Sequence, residues 1–295
     1  MRLTKLASAT LAGSSWAAGA SLAAGALLLS GAVIAADAPA TESQALGAAR
    51  ESAGPREISP RPEGGPAPVN ADGRVLLQGK TPQDKGVWTP VFGIVDPIAP
   101  VETVPFQPWS RALYDARQLH ELEPHARCKA SGAARQFLTP YGVEFVEMKN
   151  LERLYIFDIG GPHTYRTVYM DGREHPADFE PTNYGHSVGH WEGDTLVVDT
   201  VGYNEDFWLD RRGLPHTEQL HTIERFTRVN EMAIDYKITV DDPGAYTGDW
   251  TGGFHLRWNP GQELFEYVCQ QANYAHELMV GQEASSVDRS SPIVP

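Results

Sequence analysis

Alternation of apolar and polar residues dominates the second half of the chain. In residues 232–240 (MAIDYKITV), Met232, Ile234 and Tyr236 fall on one side, while Asp235 and Lys237 fall on the other. This two-residue period is typical of a half-buried strand. Comparable runs, bounded by turn residues, predict strands over 143–148, 154–159, 164–170, 187–191, 195–201, 220–229, 232–240, 254–258 and 264–270.

The linkers between these strands indicate how the strands pair. They are short and carry turn sequences such as DGREHP, EGD, VNE and NPGQE. Because a parallel pair needs a long crossover, usually a helix, an antiparallel meander is the expected topology. A meander of this size closes into a barrel or folds into a sandwich. We therefore predict a mainly all-β domain over residues 136–285, with an antiparallel β-barrel as its fold.

The region before the strands has a different composition. Residues 37–75 are rich in Pro, Ala, Gly and Glu and carry almost no large apolar side chain, which predicts a disordered arm. Residues 76–135 predict a Pro-rich extended strap that contains one short helix at 109–123. Ser110 can cap the start of this helix, and Pro124 ends it.

The first 36 residues have the layout of a secretory signal peptide. Arg2 and Lys5 precede an uncharged stretch over residues 6–36, which closes on small residues suited to cleavage. The stretch is also long enough for an uncleaved membrane anchor, which is the alternative. Cleavage would leave no stable membrane anchor and would place the protein in the periplasm or outside the cell.

Net charge and cysteine content narrow the partners and the compartment. The formal net charge of −14 repels phosphate backbones, so nucleic acid is a poor partner. In an oxidising compartment Cys128 and Cys269 could form one bridge, and the alternative is two separate buried thiols. The sequence carries no signal for an oligomeric state.

Several motifs resemble those of one group of proteins. The segments GHSVGHWEGDTLVVDTVGYN (185–204), LHTIERFTRV (220–229) and TVDDPGAYTGDW (239–250) follow in order, together with RCKASGAARQF and YMDGREHP upstream. They resemble a widespread family of exported bacterial proteins that is mostly uncharacterised. The resemblance covers residues 125–275 and implies export and a lipocalin-like, calycin-type barrel. It supplies no catalytic residues, and this chain carries more histidine over 186–221 than that family suggests.

Polar residues with acid–base chemistry concentrate in residues 208–225. His221 and Arg225 share one face of a predicted strand, so an imidazole and a guanidinium could both enter a barrel lumen. Such a pair could transfer a proton and stabilise an oxyanion, with Asp210 or His216 at the rim as the second proton-transfer group. The alternative is an exterior ladder, in which Arg225 and Glu224 pair across strands and His216 is solvated.

His186 and His190 lie four positions apart in GHSVGH. On a strand, that spacing puts them about 13 Å apart, too far to share a metal ion, so His186 is instead a candidate pocket histidine. Further candidates for ligand binding are polar or aromatic residues spread over the predicted strands: Arg166, Tyr169, Trp191, Tyr203, Trp208 and Tyr236. They would suit a flat or apolar ligand in the lumen, and plain core packing or an exposed hairpin is the alternative.

Three functions remain compatible with the sequence. The first is a cofactor-independent lyase, isomerase or cyclase that acts on a small apolar or aromatic oxygenated molecule, and no nucleotide-binding motif argues for a cofactor. The second is a periplasmic binding protein or carrier without catalysis. A metal-dependent hydrolase is the third.

Overall fold

The computed structural model describes residues 59–91, 97–120, 123–160, 164–267 and 269. Within these ranges, nine strands close into a barrel, which confirms the predicted all-β barrel and is consistent with a lipocalin-like fold. The strands are β1 (Gly86–Pro90), β2 (Val143–Met148), β3 (Arg153–Asp158), β4 (Thr164–Tyr169), β5 (His186–Glu192), β6 (Thr195–Val201), β7 (His221–Asn230), β8 (Ala233–Asp241) and β9 (Trp250–Pro260).

Each strand pairs with its neighbours in chain order, and β1 pairs with β9 to close the barrel. These pairs are antiparallel as predicted, except that β4 and β5 run parallel. The connection over residues 170–185 makes this crossover without a helix. β1 lies inside the region predicted as a strap, whereas residues 262–267, which fall largely within the last predicted strand, are not in a strand.

The barrel has two different ends. One end, here called the helix end, carries the start of β7 and the end of β8. It lies beside the α-helix α1 (Pro108–His120), whose first turn Ser110 ties to the carbonyl of Ala245. Ser110 lies within α1 and its hydroxyl donates to that carbonyl and to that of Gln107, so it is not the predicted cap.

The other end, here called the strap end, is covered by residues 66–85. Val75 and Leu77 are buried there, and Trp88 donates its indole N–H to the carbonyl of Leu77 at 2.7 Å. Residues 59–75, the described part of the arm predicted over residues 37–75, make contacts with the barrel. Backbone contacts anchor them despite the lack of large apolar side chains: Glu231 N–H donates to Gly65 O, and Val69 bridges Val75.

Side chains of the chain itself fill the lumen. A short 3₁₀ segment, Ala133–Phe137, is buried at every position. The Phe137 ring lies 5.3 Å from Phe226 and 5.1 Å from Tyr236, centroid to centroid, so this segment plugs the barrel. The predicted open lumen is therefore occupied by a core of aromatic and aliphatic side chains.

A disulfide joins Cys128 to Cys269, with their Cα atoms 5.6 Å apart, which decides between the two alternatives for these cysteines. No helix among the described residues is long and apolar enough to cross a membrane. The predicted signal peptide lies outside the described residues.

Candidate active site on the outer wall

The two faces of β7 are opposite to the prediction. Thr222, Glu224 and Phe226 are fully buried and face the lumen, while His221 and Arg225 lie on the outer wall. The expectation that His221 and Arg225 enter the lumen is therefore wrong. Arg225 is exposed and donates to Glu192 at 2.7 Å, not to Glu224.

On the outer wall, His221 belongs to a cluster of imidazoles and carboxylates near the helix end. Its Nε2 lies 2.8 Å from Oδ1 of Asp199, on the adjacent strand β6. The Nε2 of His175, from the β4–β5 connection, lies 3.1 Å from the same oxygen. Asp241 at the end of β8 lies farther off, 3.9 Å from His221 Nδ1. One carboxylate oxygen thus orients two imidazoles.

His186 extends this cluster by one further contact. Its Nδ1 lies 2.8 Å from Nδ1 of His175. Its ring stacks on Tyr169 with centroids 5.0 Å apart, and the guanidinium of Arg173 lies over the same tyrosine ring at 3.9 Å. The five residues His175, His186, Asp199, His221 and Asp241 are called the His–Asp cluster below.

The backbone around β5 explains why His186 reaches its partners. Gly185 has a φ of +61° directly before the strand, a conformation that L side chains rarely adopt. A Cβ on Gly185 would also lie 2.4 Å from the carbonyl oxygen of Val201. The parallel pairing of β4 with β5 then brings His186 beside Tyr169. Gly185 and the parallel crossover from β4 to β5 together place the His186 imidazole beside Tyr169.

With Asp199 ionised and His175 neutral, the hydrogen bonds correspond to one tautomer of each ring. An ionised carboxylate only accepts, so both Nε2 atoms facing Asp199 carry hydrogens. A neutral His175 then has a bare Nδ1, which accepts from the Nδ1–H of His186. This leaves Nε2 of His186 without a proton. Burial, helped by the nearby His175 and Arg173, lowers the pKa of His186, which favours this neutral state.

Asp210 and His216 lie outside the His–Asp cluster and are buried in the loops of the helix end. Asp210 accepts from the backbone N–H of Arg212 at 2.9 Å, and burial raises its pKa to about 6. His216 Nε2 lies 3.0 Å from the carbonyl of Phe207, and burial lowers its pKa to about 4. His216 is neither at an open rim nor solvated, so both interpretations made for it are corrected.

Arg166 is inside the barrel and forms a buried ion pair with Glu224. Its guanidinium also donates to Ser187 Oγ at 2.9 Å, and Tyr236 donates its hydroxyl to Glu224 at 2.9 Å. These groups are hydrogen-bonded to one another in the core. The predicted ligand-binding residues Arg166 and Tyr236 are thus partners of the same internal network.

The remaining predicted residues are distributed over the molecule. Tyr203 is buried, with its hydroxyl 2.8 Å from Thr222 Oγ1. Trp208 is buried beneath the guanidinium of Arg117 at 4.8 Å. Trp191 lies near the strap end with Arg74 over its ring at 4.1 Å. The structure therefore brings together Tyr169, His186 and His221, and the other predicted residues lie outside the His–Asp cluster.

Three residues of the cluster were not predicted as site residues: His175, Asp199 and Asp241. His175 lies in DGREHP and Asp199 in TLVVDTV, which indicated a turn and a strand. The available signal for Asp199 was its place among apolar neighbours, since a lone carboxylate on a strand needs a partner. Within the described residues, no group of three or more His, Cys, Asp or Glu side chains is arranged to hold a metal ion.

Comparison of the chain with protein-family models, with curated proteins and with solved structures gives no match. The candidate site therefore depends on its own geometry.

Proposed function

We propose that this protein is a cofactor-independent acid–base enzyme of the lyase or isomerase type, with the His–Asp cluster as its active site. The observation that carries the proposal is Asp199 Oδ1, which lies within hydrogen-bond distance of both His175 and His221. Because a carboxylate holds an imidazole in one tautomer and orientation, this arrangement prepares ring nitrogens for proton transfer.

His186 is the proposed base. Its Nε2 is bare when His175 accepts from its Nδ1–H, and a lowered pKa keeps it so in neutral solution. His221 is the proposed partner acid: in its imidazolium form it would carry a second proton on Nδ1, which it could return to the substrate while Nε2–H stays on Asp199. One ring would remove a proton from a carbon next to a carbonyl, and the other ring would donate a proton to the substrate. Such a transfer would isomerise the substrate or eliminate a group from it.

The wall beside the cluster favours an apolar or aromatic substrate with an oxygen function. Tyr155, Phe157 and Tyr165 form a group on the outer faces of β3 and β4, with ring centroids 5.9–6.0 Å apart. On β4, Thr167 lies between Tyr165 and Tyr169 on the same face, and Tyr155 pairs with it across the strands. The row of rings therefore continues from Tyr165 to Tyr169, which stacks on His186. Exposed aromatic faces of this kind bind flat or apolar molecules.

Export and membership of the exported bacterial family are part of the same proposal. The layout of residues 1–36 and the motif order over 125–275 support it. The disulfide between Cys128 and Cys269 supports it too, because such bonds persist in oxidising compartments.

The test uses proton exchange, which needs no knowledge of the product. Purified protein is incubated in deuterium oxide with small aromatic ketones such as acetophenone and chromanone, and deuterium incorporation beside the carbonyl is followed by NMR. We expect exchange above the uncatalysed rate, and we expect His186→Gln to reduce it by about 10²-fold or more.

His190→Gln is the matched control, because His190 is exposed on the same strand and its ring has its described hydrogen bond to Glu192, outside the cluster. It should exchange at the wild-type rate. Equal exchange rates in H186Q and H190Q would show that the His–Asp cluster takes no part in the reaction. Absence of exchange with every ketone, alongside saturable binding of one, would favour a binding protein instead.

A further inference from the structure

Two cavities meet at the strap end of the barrel, away from the His–Asp cluster. One has a volume of about 710 Å³ and the other about 590 Å³. Both are lined by six shared residues: Val69, Gly79, Lys80, Asp84, Lys85 and Trp258. Volumes of this size are typical of sites for small organic ligands. The two cavities therefore form one bipartite groove around the loop over residues 79–85.

A gap between two strands explains the second cavity. In the described residues β1 and β2 are paired at a single position, Trp88 with Val143. Beyond it the strands separate, and the cavity lies between Gly86 and Phe145. Because Phe145 and Trp258 are inward-facing core residues, this groove reaches the edge of the barrel interior.

The floor of the groove is aromatic and carries a positive charge. Arg228 lies over the rings of Trp88 and Trp258 at 4.9 and 5.6 Å. Its described hydrogen bonds go to backbone carbonyl oxygens, including Gln78 O at 2.7 Å, so no carboxylate neutralises it at contact. A guanidinium held in this way keeps a positive potential at the groove.

The rim adds a second cation. Lys80 is exposed and has no ion-pair partner in the part of the chain that the structure describes, whereas Lys85 is paired with Glu263. Two carboxylates also line the groove: Asp84 accepts from Thr81 N–H, and Glu231 accepts from Gly65 N–H. Arg228 and Lys80 are therefore the cations of the groove that have no ion-pair partner among the described residues.

We propose that this groove is a binding site for a flat, apolar small molecule that carries one acidic group. Trp258, with the prolines Pro66, Pro68 and Pro260, contacts the apolar body, while Lys80 and Arg228 face the anion. The site is independent of the acid–base cluster, because Arg228 and His221 lie near opposite ends of β7, about 23 Å apart along the strand.

Two fluorescent probes that differ in one group test the proposal. Anilinonaphthalene sulfonate has the flat apolar body and an anion, and N-phenylnaphthylamine has the same rings without the sulfonate. We expect saturable one-to-one binding of the sulfonate and weaker binding of the neutral probe. Lys80→Gln should weaken the binding of the sulfonate by about fivefold and leave the affinity for the neutral probe unchanged.

Two further variants locate the site. Val69→Trp fills the wall shared by both cavities from an exposed position, and it should block both probes. Lys237→Gln removes an exposed lysine from β8 and is the matched control, with wild-type affinities expected. Near-ultraviolet circular dichroism confirms that each variant is folded.

Three results would overturn the proposal. They are equal affinity of the two probes, unchanged binding in V69W with an intact fold, or equal weakening by K80Q and K237Q. The first result would show that the ligand needs no acidic group, and either of the other two would show that the probes bind outside the groove.

Discussion

Asp199 and Glu224 show how differently single carboxylates act in this barrel. Asp199 lies on the outer wall, where one oxygen orients two imidazoles. Glu224 lies in the core, where it meets the guanidinium of Arg166 and the hydroxyl of Tyr236. The first is reachable from solution, and the second holds inward-facing strands together.

The lowered pKa of His186 has a consequence for pH dependence. A histidine with a lowered pKa stays neutral as the pH falls past the ordinary histidine value, so base activity should persist below it and be lost only at lower pH. His175→Gln removes one cause of the shift and should move the His186 pKa upward. Imidazole NMR titration measures this directly, and a pKa unchanged in H175Q would contradict the described contact.

The buried ion pair predicts a large asymmetry between two similar substitutions. Glu224→Gln leaves Arg166 charged and without its partner in the core, which should cost about 3–5 kcal/mol of unfolding free energy. Glu192→Gln breaks the exposed pair with Arg225, and its denaturation midpoint should match the wild type. Urea unfolding of both variants provides the comparison, and equal midpoints would refute the buried network.

The sequence singled out two of the five residues of the His–Asp cluster, His186 and His221, but not the outward orientation of His221. In 220–229 both faces carry polar groups, so alternation alone did not indicate which face was inward. The inward choice of Glu224 over Arg225 depends on Arg166, which arrives from β4 to neutralise it. A partner so distant in the sequence leaves no local signal.

At the scale of elements, the local alternation of apolar and polar residues was sufficient to predict strands that pair with their neighbours in the sequence. β2 and β6 begin and end at the predicted residues. β1 was missed because its five residues lie in a Pro-rich context, and its main partner is β9, far along the chain. The parallel step from β4 to β5 was missed because its connection contains no helix.

The 3₁₀ segment that plugs the barrel, Ala133–Phe137, was also not predicted from the sequence. It leads to a prediction about stability. Phe137 contacts Phe145, Phe226 and Tyr236 inside the lumen, so Phe137→Ala should lower the unfolding free energy by about 3–5 kcal/mol. Phe265→Ala removes an exposed ring and should change stability far less. Thermal unfolding distinguishes the two, and similar melting temperatures would place Phe137 outside the core.

For the whole molecule, the disulfide connects two distant parts of the chain. Its cysteines are 141 residues apart, so the chain-entropy model assigns it about 5 kcal/mol of stabilisation. Calorimetry with and without reductant should therefore show a lower melting temperature for the reduced protein. A double Cys128→Ser, Cys269→Ser variant should melt with the reduced form and be insensitive to reductant, and a wild-type melting temperature in it would contradict the bond's role.

Closure between β1 and β9 also bears on when the chain can fold. Gly86 pairs with Pro260, so the ring of strands is incomplete until nearly the whole polypeptide is available. Contacts between such distant positions form slowly. A newly made chain therefore cannot complete its ring of strands before residue 260 has been synthesised.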